Sequence, residues 1–598
     1  MAIEPARAYR PTTLPLRPRR TLALPTRVAV VTGLWLAAIV AVSTLIRIWA
    51  GAATAAPWII PDELIYSELA RSFAETGSFA VRDQAFSAWT FGPLYPILIS
   101  PIFGLAADPP AAYALAKAFN ALLISSAAVP AYLLGRRVLS RPDALVAAAL
   151  TVAVPSAVYS TKLMTESLAY PVFLWVMIAF VRALDRPSPG RLTLLAAAAG
   201  VAALTRAQMV ALVGAFALSY LVLAAGDRRR RRLAVGLACG LAFTGAVLVT
   251  VGGVGGREFR VGALLPLHVA RSTLQHVALV DLYVGVMPLL ALLALLTVRS
   301  APRNLRLHVV ASASVLLCLS VLSAIYLESL PGGVSQQARV YDRYVFYAAP
   351  LLFICLLAWL RGLGSASRRT TVAAACVMGA LPLVLPYSEL LTGREWGVSS
   401  STVALVPWVA IGTIVGTGPA LAAIAAAVAG SLAFLAVRLR PSAPTLALGC
   451  VVGVVLLTGA VAQIANVGVS STAVRIGAAE NADWIDRAVG GEADVVAIWS
   501  GSPSRTWRGY WPIWQADLFN RSVGRVYHVR TPMPYAPPGS GLRVRGGALL
   551  LQTGDPLTAS FVLTDETLPL VGTRVASDAK TGMVLVRVRG PVRLRVGL

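Results

Sequence analysis

The 598-residue chain is 57% hydrophobic and 13% charged, with 52 Lys+Arg against 27 Asp+Glu and a formal net charge of +25. Together with a mean hydropathy of +0.72, this composition excludes a soluble enzyme, and it excludes a disordered chain, which needs dense charge and little apolar surface. The positive charges fall in short clusters between apolar runs, and only Lys117, Lys162 and Lys580 are lysines, so the excess does not point to nucleic acid as a partner.

Residues 1–27 carry Arg7, Arg10, Arg17, Arg19, Arg20 and Arg27 against a single Glu4 and read as a basic cytoplasmic tail. The apolar run 28–50 exceeds the roughly 7–15 residues of a signal-peptide core, so it reads as an uncleaved first span. Further segments of bilayer length lie near 112–134, 144–161, 166–184, 192–205, 207–225, 233–253, 277–297, 307–326, 344–360, 371–387, 418–437 and 444–463. The expected fold class is therefore an α-helical polytopic membrane protein with about thirteen crossings inside residues 28–465. Basic clusters recur in every second loop: Arg136/Arg137/Arg141, Arg182/Arg186/Arg191, Arg228 to Arg232, Arg299/Arg303/Arg306, Arg361/Arg368/Arg369 and Arg438/Arg440. Such clusters stay in the cytoplasm, which places the N-terminus inside and the C-terminus outside. If the apolar stretch 403–416 crossed, Arg438 and Arg440 would land outside, so it reads as re-entrant or interfacial.

From 466 to 598 polar residues return, and short β-rich runs at 495–499, 548–552, 560–564 and 583–588 are broken by Gly, Pro and Asp. This region reads as a small, mostly-β extracytoplasmic domain that begins with a helix containing Trp484 and Ile485. Its tryptophans Trp484, Trp499, Trp507, Trp511 and Trp514 are expected to pack the small core or sit at the bilayer surface sooner than to stack on sugar rings. Cys239, Cys318, Cys355, Cys376 and Cys450 all fall in apolar runs, and no P-loop, HExxH or Cys/His ligand spacing is present.

The chemistry-bearing residues cluster on the outer side. The first outer loop, 51–111, opens with Pro61-Asp62-Glu63, followed by Ile65, Leu69 and Phe73 at a spacing of four with Glu68, Arg71 and Glu75 between them. That spacing predicts a helix lying along the membrane surface with Asp62 at the boundary. A carboxylate there can take a proton from an acceptor hydroxyl. Lys162 and Glu166 sit where two spans meet, and Arg206 and Arg343 interrupt apolar runs at the same level. Ionisable groups at such depth face a cavity or pair with one another, and arginine and lysine are the groups that hold a phosphate.

These segments resemble the GT-C fold glycosyltransferases that use polyprenyl-phosphate sugars, in the branch of the protein O-mannosyltransferases and the aminoarabinose transferase of lipid A. The resemblance rests on Asp62-Glu63, Phe91-Gly92-Pro93-Leu94-Tyr95-Pro96, Met164-Thr165-Glu166-Ser167-Leu168-Ala169-Tyr170-Pro171, Leu204-Thr205-Arg206-Ala207-Gln208 and Arg343-Tyr344 with Pro350. It implies inverting transfer from a lipid-phosphate donor to an envelope glycan, lipid or protein acceptor at the outer face. It further implies Asp62 as general base, Glu63 as an orienting carboxylate, and Lys162, Arg206 and Arg343 as donor-phosphate ligands. Glu166, Tyr66 and Tyr344 would contact substrate, and the clustered carboxylates could take a divalent cation, Mg or Mn. The competing readings are a secondary transporter or lipid-linked-sugar flippase, which should show repeated halves and broken helices near the midplane, and a non-catalytic envelope-assembly protein.

Overall fold

The computed structural model describes residues 27–595 apart from 55–56, 58–59, 82–83, 86–90, 225–265, 299, 329–339, 365, 392–401, 438–442, 491–492, 502–509 and 534–539. Residues 1–26 of the basic tail, the expected span 233–253, Arg228 to Arg232, Arg299, Arg438, Arg440 and Trp507 lie outside the described residues.

The first half of the chain forms α1 (Arg27–Ala52), α2 (Ile60–Thr76), α3 (Leu94–Leu105), α4 (Pro109–Ser125), α5 (Ala128–Gly135), α6 (Arg141–Ala153), α7 (Glu166–Asp185), α8 (Pro189–Thr205) and α9 (Ala211–Leu223). There follow α10 (Pro266–Tyr283), α11 (Met287–Leu296), α12 (Arg303–Glu328), α13 (Ala349–Leu360), α14 (Arg368–Ala380), α15 (Tyr387–Leu391), α16 (Val406–Val415), α17 (Pro419–Ala436) and α18 (Ala443–Gly477). Among the described residues six helices are long and apolar enough to cross a membrane, or up to eight if each of two bent pairs counts as one span. Shorter apolar helices of 10–17 residues lie in several of the other apolar segments, and the count of about thirteen crossings is not reached by the candidate spans among the described residues.

Burial sorts these helices. In α13 every residue from Ala349 to Trp359 is buried, so it is the central helix, whereas α1 buries only Ser43, Arg47, Ala50 and Gly51 and shows the rest of its apolar surface to the surroundings. A helix apolar on every side is buried in protein or lipid, and these two illustrate each case.

The expected span 144–161 is broken. After α6 the chain turns by 57° into a 3-10 segment, Pro155–Thr161. The backbone groups freed by the break are satisfied inside the bundle: Tyr170 donates to Thr151 O at 2.9 Å, Arg47 donates to Val152 O, and Tyr283 accepts from Ser156 N at 3.1 Å. Non-helical backbone at membrane depth survives only with such internal partners. The expected span 277–297 is bent as well: α10 and α11 meet at 118° where Gly285 and Val286 take φ of 78° and 66°.

The described basic clusters meet at one end of the bundle. Arg361 pairs with Asp143 at 2.6 Å, Arg303 with Asp185 at 3.1 Å, and Asn304 donates to Arg137 O. From Arg182 near that end, the 20-residue α7 rises about 30 Å to Glu166 at the other. At the Glu166 end Asp342 accepts from Val403 N and Ala404 N, so α16 starts there. Phe434, near the end of α17, stacks on Trp359 two residues before Arg361, so α17 leads back to the basic end. The stretch 403–416, expected to be re-entrant or interfacial, forms a short 3-10 turn and the ten-residue α16.

The C-terminal part is β-rich as expected, a mixed sheet accompanied by two short helices. Strands β1 (Ala80–Val81) and β2 (Gln84–Ala85) belong to the first outer loop, and the domain begins with α19 (Trp484–Val489) and β3 (Val495–Trp499). Then come α20 (Trp511–Phe519), β4 (Val523–His528), β5 (Arg543–Arg545), β6 (Ala548–Leu550), β7 (Phe561–Asp565), β8 (Thr573–Asp578) and β9 (Met583–Arg587). The main sheet runs β4-β3-β7-β9-β8, with β3 parallel to both neighbours. A parallel pair needs a crossover, and α20 supplies it between β3 and β4. Trp511 and Trp514, on α20, are 2% and 3% exposed, which settles them as core.

Candidate active site

Four charged side chains from four separate segments converge at the end of the bundle away from the basic clusters. Glu166, the first residue of α7, is wholly buried, and its Oε1 accepts from Arg206 Nη1 at 2.5 Å and from Arg343 Nε at 3.0 Å. The other arm of Arg343, Nη2, reaches Asp62 Oδ2 at 3.0 Å. Exposure rises along this chain, from 0% at the Glu166 side chain through 10% and 11% at the arginines to 25% at Asp62. The cluster thus has a floor at Glu166 and a rim at Asp62, with Arg343 bridging the two carboxylates and Arg206 held to Glu166.

Each member is fixed by local structure. Arg206 caps α8 in extended conformation where the helix gives way to the 3-10 turn Ala207–Val210, and its Nη1 also donates to Thr165 Oγ1 at 3.2 Å. Arg343 lies in the 3-10 turn Asp342–Tyr344, which is tied down on three sides. Asp342 accepts from Val403 N at 3.1 Å and Ala404 N at 2.6 Å, His276 Nε2 accepts from Tyr341 N, and Gln208 donates to Tyr344 O. The Tyr344 ring carries Arg206 at 5.2 Å and Arg343 at 5.6 Å from its centroid, a cation–π arrangement that holds both guanidiniums beside one ring. Desolvation by burial pulls the Arg343 guanidinium down, but Glu166 and Asp62 outweigh it and hold it well above its ordinary range.

Desolvation raises the Asp342 carboxyl to about 7, against the opposing pull of the Ala404 and Val403 amides and Arg343. Its folded pKa lies above the unfolded value of about 4, so the linked stability is present below about pH 4 and lost as pH rises through about 7. The ionised form that grips the 403–404 amides therefore predominates above about pH 7. We expect turnover to climb through about pH 7, and Asp342→Asn to lower the plateau and flatten that limb, measured as initial rate between about pH 5.5 and about pH 8.5.

The segment Phe91-Gly92-Pro93 closes the site from the side. Gly92 has φ +76°, and a Cβ on it would stand 2.1 Å from Thr205 O, the carbonyl just before Arg206. Only glycine meets both demands. Gly92→Ala is expected to cost about 2 kcal/mol or more, read as a lowered thermal midpoint, and to reduce activity by pushing the end of α8 that carries Arg206.

The structure brings together Asp62, Glu166, Arg206, Arg343 and Tyr344 of the expected site, with Tyr66 alongside, its hydroxyl 3.5 Å from Thr165 Oγ1 and its ring edge-on to Phe91 and Tyr95. It sets Glu63 and Lys162 in a second polar group on the far side of the 162–166 segment. Glu63 is buried, and its Oε2 accepts from Tyr113 OH at 2.8 Å and Leu163 N at 3.2 Å. Lys162 is buried too, donates to Asn466 Oδ1 and Thr161 Oγ1, and is pushed down to about 7 by burial while Glu63 pulls it back. Tyr113, Lys117 and Asn120 complete this group from one face of α4, Lys117 donating to Gly51 O and Thr54 O and Asn120 to Tyr95 OH. Their spacing of four and three in an apolar helix was a legible signal; Asn466, on a distant helix, gave none.

The helix α2 departs from the surface-lying form. Leu69 is buried as expected, but Glu63, Tyr66, Ser67, Glu68 and Ala70 are buried as well, because α3 and α20 enclose it. No group of three or more metal-ligating side chains is found among the described residues, and Asp62 and Glu166, the carboxylates of the cluster, both face arginine.

Residues 92–251 match the family described as dolichyl-phosphate-mannose-protein mannosyltransferase. Lys162, Glu166 and Arg206 lie inside that stretch; Asp62 and Arg343 lie outside it. Among solved structures the chain is similar to ArnT from Cupriavidus metallidurans bound to undecaprenyl phosphate, at 17% identity over 93% of this chain and 98% of that one, with a TM-score of 0.49. It is also similar to the Archaeoglobus fulgidus oligosaccharyltransferase in complex with zinc and sulfate, at 16% identity over 89% and 68% of the two chains and a TM-score of 0.34. The same organism's AglB, in complex with an inhibitory peptide and a dolichol-phosphate, gives 14% identity over 89% and 69% and a TM-score of 0.31. No curated protein matches the chain. The family match lays a glycosyltransferase sequence over the part of the chain that carries Lys162, Glu166 and Arg206, as the motifs lead one to expect.

Proposed function

We propose that the protein is an inverting membrane glycosyltransferase of the GT-C class that moves a sugar from a polyprenyl-phosphate donor to an envelope glycan, lipid or protein. The observation that carries this reading is the buried Glu166 shared by Arg206 and Arg343, with Asp62 on the rim beyond them. Two fixed guanidiniums form a receptor for one phosphate, and the anion that leaves in glycosyl transfer is a lipid phosphate. The site end is the outer face by the positive-inside rule, since the basic clusters gather at the other end, and the C-terminal domain is extracytoplasmic with it.

In the unliganded protein Arg343 neutralises Asp62. The donor phosphate competes for that guanidinium, so binding of the donor frees the carboxylate next to the acceptor. The acceptor hydroxyl then attacks the anomeric carbon from the face opposite the phosphate, its proton passes to Asp62, and the C–O bond to phosphate breaks. Arg206 and Arg343 neutralise the polyprenyl phosphate as it departs, in a site already shielded from water. A divalent cation is not required by this scheme; were one used, it would assist the same departing phosphate.

Lipid-linked-sugar transport is the second reading, and the two bent helix pairs favour it. Against it, the charged cluster sits at one end of a 20-residue helix and not at its middle. The test uses protein in lipid vesicles with a panel of polyprenyl-phosphate sugars and crude envelope acceptor, following free polyprenyl phosphate. Release from one donor supports transfer and names the sugar; movement of the donor across the bilayer without release supports transport.

A further inference from the structure

The C-terminal domain touches the membrane bundle at one place that leads directly to the site. Helix α20 lies against α2 and α4: Arg71 of α2 donates to Leu518 O at 3.2 Å, and Arg521, just past α20, donates to Ala106 O at 3.0 Å. Phe519, the last residue of α20, packs edge-on to Tyr113 of α4 with centroids 5.5 Å apart. Tyr113 passes the contact on through its hydroxyl, 2.8 Å from Glu63 Oε2, and the same oxygen accepts from Leu163 N. Phe519, Tyr113 and Glu63 are 4%, 3% and 0% exposed, and one apolar cluster runs through the junction from Leu64 and Tyr95 to Ile513 and Leu585. Leu163 is three residues before Glu166, and Glu63 follows Asp62 directly.

We propose that the C-terminal domain is the clamp that positions the catalytic cluster, with Phe519, Tyr113 and Glu63 as a relay of positioning residues. Glu63 is then not a group that contacts substrate. It pins the non-helical 162–165 segment to α2, so the floor carboxylate Glu166 and the rim carboxylate Asp62 hold their separation. The domain keeps Glu63 in place by closing Tyr113 against it. A buried carboxylate that takes a backbone amide and a phenol hydroxyl in a dry junction is a rigid joint, since breaking either bond leaves an unpaired polar group. The proposal rests on the reading of the Asp62–Glu166 cluster as the transfer site.

The test is hydrogen–deuterium exchange on the full-length protein, because the Leu163 amide is itself a member of the relay. Tyr113→Phe keeps the ring and removes the hydroxyl. The double variant Arg71→Ala/Arg521→Ala removes two backbone-directed bonds of the junction and leaves the aromatic core in place. Both should speed exchange in the peptide containing Leu163 by about tenfold or more, with β7 and β9 peptides unchanged, which shows the domain still folded. Both should lower kcat about tenfold while the KM for donor moves little. Unchanged exchange at Leu163 in either variant overturns the proposal: in Tyr113→Phe because the relay does not exist, in the arginine pair because it ends inside the bundle. If exchange quickens as expected but wild-type protein releases no polyprenyl phosphate from any donor, the transfer reading fails and the clamp stands as structure only, which overturns the positioning role.

Discussion

Asp62→Asn is expected to lower turnover by at least about a thousandfold and to leave the affinity for polyprenyl phosphate equal to wild type or tighter. The first part follows from the role of the carboxylate as the acceptor's base: an amide at the same place accepts a hydrogen bond but cannot hold the proton. The second part follows from the ion pair at 3.0 Å between Asp62 Oδ2 and Arg343 Nη2. In the wild type the lipid phosphate must displace that carboxylate; in the variant Arg343 meets the phosphate with no anionic competitor on its rim side. Arg343→Ala has the opposite signature, weak binding with the base intact, because it removes the guanidinium that spans Asp62 and Glu166. Fluorescence or calorimetric titration with polyprenyl phosphate, beside single-turnover transfer, separates the two. Normal turnover by Asp62→Asn would remove Asp62 from the chemistry, and loss of lipid-phosphate affinity in that variant would show that Asp62 supports the phosphate site instead of competing for it.

How much of this arrangement was legible in the sequence depends on the range over which each feature is determined. Spans such as α7 and α12 were readable within a few residues, since a helix surrounded by apolar partners needs only length and apolar content. The four β-rich runs fell on strands for the same local reason. What failed was set by contacts far along the chain. Trp511 and Trp514 sit in α20 because a parallel β3–β4 pair demands a crossover, and nothing near 511 announces that pairing. The bend at Gly285–Val286 was invisible because a single valine at positive φ breaks no composition rule. In the candidate site, Asp62, Glu166, Arg206 and Arg343 stood out singly, because charge at membrane depth is costly wherever it falls. Their division into two groups was not visible: Asp62 and Glu63 are adjacent, yet neighbours on a helix point about 100° apart, one to the arginines and one to Tyr113 and Leu163.

The second large effect is on stability and belongs to Glu166. Its Oε1 receives both Arg206 and Arg343, and the side chain is wholly buried, so Glu166→Gln leaves two guanidiniums facing each other around a neutral amide. Removing one partner from a buried ion group costs about 3–5 kcal/mol, most of it the penalty of the charges left behind and not the worth of the bond removed. The variant should therefore show a markedly lower thermal midpoint, and Glu166→Asp, which keeps the charge on a shorter stem, should lose less. Arg206, left without its carboxylate, and Arg343, left with Asp62 alone, are also a stronger anion site than before. Polyprenyl phosphate should then raise the midpoint of Glu166→Gln by more than it raises that of the wild type, since a ligand stabilises by its affinity for the folded form alone. A wild-type midpoint in Glu166→Gln would mean that Asp62 and solvent already balance the arginines. A low midpoint that polyprenyl phosphate does not lift would mean that Arg206 and Arg343 are held for the fold and do not receive the lipid phosphate.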